Sequence, residues 1–218
     1  MIFTYSNDKT FMLRLTEIFY SLQGETRFVG LPTVFIRLTG CPLRCQYCDT
    51  TYAFSGGKKH SWEEIFAEVR RYKTRYVTVT GGEPLAQKAC LELLSKLCDE
   101  GYVVSLETSG ALDVSGVDPR VAKILDVKTP GSLESHRNLW SNFEHMGPND
   151  EFKFVICDRA DYDWSVSLLS EKKLNEKSPV LFSPSVGQLP AKTLADWILA
   201  DQLPVRFQLQ MHKIIGVA

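Results

Sequence analysis

Short β-rich runs alternate with helix-patterned segments along most of the chain, and this rhythm restricts the fold more than any other feature. Strand candidates are Thr33–Gly40, Tyr76–Thr80, Val103–Glu107, Lys123–Lys128, Phe152–Ile156, Val180–Ser183 and Val205–Gln210. Between them, Trp62, Ile65, Phe66 and Val69 recur at helical spacing behind Ser61, a suitable N-cap. Cys90, Leu93, Leu94 and Leu97 form a second apolar stripe, and Leu194, Trp197 and Ile198 a third, after Pro190. Such alternation implies a parallel sheet covered by helices. A closed eightfold barrel takes about 250 residues, and this chain has 218. The expectation is an α/β fold, an incomplete (β/α) barrel of about six parallel strands with a short N-terminal strand extension. One domain is expected over residues 1–218, with a helix around Leu133–Phe143 in the polar stretch from Thr129 to Asp150.

The polar motifs sit at the ends of these strands. "CPLRCQYC" follows the first, "GGEP" (Gly81–Pro84) the second, "ETSG" (Glu107–Gly110) the third and "DVKTP" (Asp126–Pro130) the fourth. In parallel barrels the C-terminal strand ends carry the active site, so four unusual motifs converge on one face and favour an enzyme. A formal net charge of −1 gives no broad attraction to nucleic acid or membrane. No apolar run approaches the roughly 20 residues that span a bilayer. The N-terminal "MIFTYSNDKT" lacks the pattern of a secretory signal. A cytoplasmic protein with reduced thiols is expected, in which clustered cysteines mean metal or redox chemistry.

Cys90 and Cys98, on or beside a helix stripe, and Cys157, at a strand end, read as structural. Cys41, Cys45 and Cys48 lie in a polar, turn-rich loop and do not. Structural zinc prefers four closed ligands, and His60 is the only nearby candidate to complete such a set. A four-iron cluster usually takes four thiolates; three would leave one iron open to a small molecule.

The C-x3-C-x2-C spacing, with Tyr47 before the last cysteine and "GGEP" one β–α unit downstream, resembles the radical S-adenosylmethionine (SAM) superfamily. The resemblance implies that Cys41, Cys45 and Cys48 hold a [4Fe–4S] cluster whose fourth iron is chelated by SAM. It implies SAM contacts at Tyr47, Asp49, Gly82, Glu107, Ser109, Asp126, Val127, Lys128 and Ser183. Glu107, Thr108 and Ser109 could equally cap the next element, and Glu83 could hold local geometry. "FYSLQGET" (Phe19–Thr26), "CDTTYA" (Cys48–Ala53) and "QLQMHKIIGVA" (Gln208–Ala218) narrow the likeness to the 7-carboxy-7-deazaguanine synthases of the queuosine pathway. "DVKTP" and "SPSVGQ" (Ser183–Gln188) depart from the Ser-Pro-Lys and Gln-Pro patterns of many relatives.

That likeness implies ring contraction of 6-carboxy-5,6,7,8-tetrahydropterin with loss of ammonia. Substrate contacts would be Leu22, Gln23, Gly24, Arg37 and Thr80, with the α-carboxylate of Ala218 accepting from the pterin's N–H edge. The Gln23 amide suits a pterin edge, and the Arg37 guanidinium suits a carboxylate. Mg2+ would be held by Thr50, with Asp49 as the electrostatic alternative. A homodimer and an electron donor such as flavodoxin or ferredoxin are also implied. A glycyl-radical-enzyme activator and a zinc-binding interaction module stand as alternative readings.

Overall fold

The computed structural model describes residues 12–217. One nine-stranded sheet runs in the order β3-β1-β2-β4-β5-β6-β7-β8-β9. Its strands are β1 (Leu13–Leu22), β2 (Pro32–Leu38), β3 (Lys58–His60), β4 (Tyr76–Gly81), β5 (Val103–Thr108), β6 (Ala122–Val127), β7 (Glu151–Ile156), β8 (Val180–Pro184) and β9 (Arg206–Phe207). From β2 through β9 every pairing is parallel. β1 runs antiparallel to both β2 and β3. β3 and β9 end the sheet unpaired with each other, so the barrel is open, as expected.

Side-chain alternation along the strands separates two environments. Val77, Val79, Val104, Leu106, Leu125, Val127, Phe152 and Phe154 join the apolar core. Thr80, Glu107, Asp126 and Lys153, from the alternate positions, line a cavity on the other face. Helices α1 (Trp62–Val69), α2 (Cys90–Asp99), α3 (Arg159–Lys172), α4 (Leu174–Lys177) and α5 (Ala191–Ala200) follow the strands, and α6 (Met211–Ile215) closes the described chain. Ser61 and Glu64 form a reciprocal capping box at the start of α1. Leu93, Leu94 and Leu97 of α2 are fully buried, as their stripe predicts. No helix among the described residues is long and apolar enough to cross a membrane.

Four features differ from expectation. The N-terminal extension is not short: β1 spans ten residues. Thr16, Glu17 and Ser21, all partly buried, interrupt its apolar pattern. The helix expected at Leu133–Phe143 is instead three 3-10 turns, Pro130–Ser132, Ser135–Arg137 and Trp140–His145. Leu133 is left-handed (φ 64°) and Leu139 extended, which breaks any continuous helix. α3 has no clean apolar stripe, since Asp161 and Ser165 share its buried face with Tyr162, Leu168 and Leu169. The last strand pairs only at Arg206 and Phe207. Beyond Gln208 the chain leaves the sheet to pack on the loop after β1, where Met211 N–H donates to the Gly24 carbonyl (2.9 Å).

Candidate active site

A cavity of about 470 Å³ lies at the C-terminal ends of the central strands and reaches down their inner face, within the size range of small-molecule sites. It is lined by Cys41, Cys45, Tyr47, Cys48, Asp49 and Thr50 of the cysteine loop, and by Thr80, Gly82, Glu107, Ser109, Asp126 and Lys128 of the strand ends. Leu22, Gln23, Gly24 and Arg37 line it from the N-terminal side. Two expected contacts do not. Val127 alternates away from Asp126 and Lys128 into the core. Ser183 is fully buried with no partner for its hydroxyl among the described residues, and the chain after that strand reaches the cavity through Ser185 and Val186 instead. Ala218 lies outside the described residues.

The cysteine loop leaves β2 through Gly40, whose φ of 102° is left-handed and favours glycine. Gly40 N–H donates to Ala53 O (2.8 Å) and so closes the loop at its far end. A turn between Cys45 O and Cys48 N (3.1 Å) turns the second and third thiols together, and Gln46 N–H is braced by Ser132 O (3.2 Å). All three cysteines are unpaired and partly buried. Burial raises Cys41, and it pushes the Cys45 thiol up to about 11 despite the nearby Lys128 ammonium. Burial thus disfavours the free thiolate at Cys41 and Cys45, and a bound cation would offset that cost, as it does for metal ligands. Cys90 sits in the core, Cys98 packs against it, and Cys157 is buried, so the structural reading of those three agrees with their placement.

"GGEP" and "ETSG" form a single unit. Glu83 is fully buried. It accepts from Thr108 Oγ1 (3.0 Å), Ser109 N (2.7 Å), Ser109 Oγ (2.5 Å) and Leu85 N (3.0 Å). The Ser109 hydroxyl is thus spent on Glu83. Gly82, which lines the cavity, also has a packing role. A Cβ there would meet Gly40 O at 2.3 Å and Cys41 Cβ at 2.8 Å, so the glycine lets this turn pack on the cysteine loop.

Charged groups fill the rest of the wall. Lys128 is buried and paired with Asp126 (3.1 Å). Burial opposes its charge, but Asp126, Tyr47 and Cys45 outweigh that and raise its pKa. The Tyr47 hydroxyl and Asp126 Oδ1 are buried without a partner among the described residues. Such unsatisfied atoms, three thiols and a cationic lysine fit the polar groups of a cluster-bound cofactor.

Both ends of the Gln23 amide are engaged within the protein. Nε2 donates to Thr78 Oγ1 (3.1 Å) and Glu107 Oε1 (3.3 Å), and Oε1 accepts from Glu25 N (3.1 Å). Glu107 also accepts from Thr80 Oγ1 (2.9 Å). Burial raises the Glu107 pKa, and the neighbouring Glu25 adds to this. Arg37 pairs through Nε with Glu17 (2.8 Å).

Sequence reasoning missed Glu25, Lys153, Gln210, His212 and Lys213, all of which line the cavity. Lys153 pairs with Glu25, and Gln210 Nε2 donates to Glu25 Oε1 (2.9 Å). Lys213 pairs with Asp49 (2.5 Å). Lys153 was findable, because it occupies on β7 the inward position that Asp126 holds opposite it on β6.

Residues 35–130 match the profile of the radical SAM superfamily. The chain is 46% identical over 207 residues to a 7-carboxy-7-deazaguanine synthase of Chlorobaculum tepidum, covering 93% of this chain and 94% of that one. It is 42% identical over 218 residues to the synthase of the same name from Koribacter versatilis, covering 93% and 96%. The crystal structure of QueE from Escherichia coli matches with a TM-score of 0.77 at 25% identity, covering 92% of this chain and 95% of that one. These likenesses favour neither the activator nor the zinc-module alternative.

Proposed function

The chain belongs to the 7-carboxy-7-deazaguanine synthase family of radical SAM enzymes, and from that premise we propose how its cavity serves the reaction. The substrate is 6-carboxy-5,6,7,8-tetrahydropterin and the products are 7-carboxy-7-deazaguanine and ammonia, a step of queuosine and 7-deazapurine biosynthesis. When bound, the [4Fe–4S] cluster and SAM would supply radical chemistry for hydrogen abstraction from the substrate. Cys41, Cys45 and Cys48 would hold the cluster. Tyr47, Asp126 and Lys128 offer polar atoms to SAM, and the Glu83 brace keeps Thr108 and Ser109 in place beside them. Arg37 would anchor the substrate carboxylate, while Gln23 fixes Glu107 and the backbone of its own loop rather than reading the pterin through its amide.

The observation that carries this reading is the shared cavity, which is lined by the three thiols and by Arg37 and has room for a small molecule. Anaerobic reconstitution followed by SAM, dithionite and the pterin tests it. Deazapurine should be formed and detected by mass spectrometry; its absence from a cluster-loaded protein that cleaves SAM would reject the substrate.

Four finer assignments belong to the same reading. Mg2+ would be held by the Thr50 hydroxyl, beside the hard oxygens of Asp49, which accepts from Thr50 Oγ1 at 2.8 Å. Thr50→Ala is expected to keep the cluster and SAM cleavage and to lose Mg2+-stimulated turnover, read from a Mg2+ titration of rate. The enzyme works in the cytoplasm as a homodimer, and a flavodoxin or ferredoxin supplies the electron.

A further inference from the structure

Arg37 and Glu17 face each other across β2 and β1. Their register is set by an irregularity in β1 between Leu15 and Glu17, where the chain gains one residue on its partner. Bulges of this kind re-aim side chains beside active sites. Here the result is that Glu17 Oε1 accepts both from Arg37 Nε (2.8 Å) and from Tyr52 Oη (2.9 Å). Tyr52 belongs to the turn that follows the cysteine loop. The Arg37 guanidinium carbon also lies 5.4 Å from the Phe19 ring centre and 5.8 Å from that of Tyr52, within cation–π range. Phe19, Arg37 and Tyr52 line the cavity.

A guanidinium presents five N–H donors in a planar fork. Glu17 takes the Nε edge. The two terminal amino groups of Arg37 have no protein partner among the described residues. That leaves free the pair of nitrogens that grips a carboxylate end-on. Arg37 is also mostly buried, with 16% of its side chain exposed. Its charge needs a counterion when no anionic ligand is bound, and Glu17 supplies one without covering the fork.

We infer that Glu17 is a positioning residue that, together with Tyr52, fixes the Arg37 fork for the carboxylate of the substrate. The inference rests on the pterin reaction proposed above. A long side chain held in its binding geometry beforehand loses less freedom when the ligand arrives. Glu17 thereby makes the enzyme select a pterin that bears a carboxylate over one that does not.

The test measures anaerobic equilibrium binding of 6-carboxytetrahydropterin and of a tetrahydropterin lacking the carboxylate to cluster- and SAM-loaded enzyme. Glu17→Ala should weaken the carboxylated ligand about five- to tenfold, the scale of one unfixed side chain, and leave the other ligand unchanged. Glu17→Gln should recover most of the affinity, because its amide oxygen still accepts from Arg37 Nε. Tyr52→Phe should give a smaller loss of the same selective kind. Glu17→Ala behaving as wild type, or losing both ligands equally, would overturn the inference; the second outcome would mark a merely structural side chain. Wild type that binds the pterin without converting it would count against the proposed reaction, while the binding data would still judge Glu17.

Discussion

The two walls of the cavity are made in different ways. One consists of the cysteine loop and the ends of β4, β5 and β6, joined by buried hydrogen bonds that converge on Glu83. The other consists of the loop after β1 and the α6 segment, brought together from opposite ends of the chain. The second wall is held by one backbone hydrogen bond, the Gln210–Glu25 contact and the Lys213–Asp49 pair. Its outer surface is open: Ile214 and Ile215 are 65% and 50% exposed. On the proposed reading, the cofactor side is built into the sheet, and the part of the substrate side beyond Arg37 and Thr80 is laid over it. Damage to the first should be all-or-none, and damage to the second graded.

The sharpest way to break this contrast is to remove a cluster thiol. Cys41→Ala, Cys45→Ala and Cys48→Ala should each abolish 5′-deoxyadenosine formation and lower bound iron. Cys90→Ala and Cys98→Ala should retain both, because those thiols are core or core-flanking groups. Wild-type cleavage in any of the first three would dissolve the distinction between the walls.

Next in size is Glu83→Ala. It would leave Thr108 Oγ1, Ser109 Oγ and two backbone N–H groups without their buried acceptor. The expected cost is about 3 kcal/mol of stability, read by denaturant unfolding, with weakened SAM binding alongside. If Glu83→Ala unfolds like wild type, the brace is not what holds this wall.

The first wall was largely legible in the sequence and the second largely not, for physical reasons. Alternation along a half-polar strand shows which residues turn inward, so Thr80, Glu107, Asp126 and Lys128 could be placed from their strands alone. Val127 was misplaced where a three-residue motif was carried over whole, although strand alternation sends its middle residue to the opposite face. The brace on Glu83 joins residues about 25 apart through side-chain geometry, which no local pattern encodes. The tail was hidden further. "VRFQLQ" alternates like a strand, yet only two of its residues pair in the sheet. The rest is drawn off by contacts with Gly24 and Glu25, nearly two hundred residues earlier in the chain. α3 escaped because a buried aspartate spoils its stripe. Asp161 is there to accept from Thr129 Oγ1, Gly131 N and Cys157 N (2.9, 2.7 and 3.0 Å).

Gly24→Ala probes the seam of the second wall. A Cβ at this position would stand 2.1 Å from His212 Nδ1 and 3.0 Å from His212 Cβ. Rotation of the imidazole alone does not relieve the second contact, so the tail must also shift by a few tenths of an ångström against its loop. Pterin KM should rise by about tenfold, as for other losses of a preformed contact surface, with SAM cleavage in the absence of pterin unchanged. Loss of SAM cleavage as well would show that the two walls are not independent.

The smallest effect is expected from Lys213→Ala, and its size is informative. Lys213 meets Asp49, whose other carboxylate oxygen accepts from Thr50. Burial pushes the Asp49 pKa up, but the Lys213 ammonium and the Thr50 hydroxyl together hold it below the usual range. The pair is therefore a real contact between the tail and the cysteine loop. It is also half open to water, with side-chain exposures of 28% for Lys213 and 49% for Asp49. Exposed ion pairs contribute under about 1 kcal/mol, so thermal stability should change little. Pterin KM should rise by about two- to threefold, the binding equivalent of that energy, and the rise should shrink in high salt as screening weakens the wild-type pair. A loss as large as that of Gly24→Ala would mean that one surface ion pair, rather than packing against Gly24, holds the tail in place. No change at any ionic strength would mean that the tail is docked by packing alone.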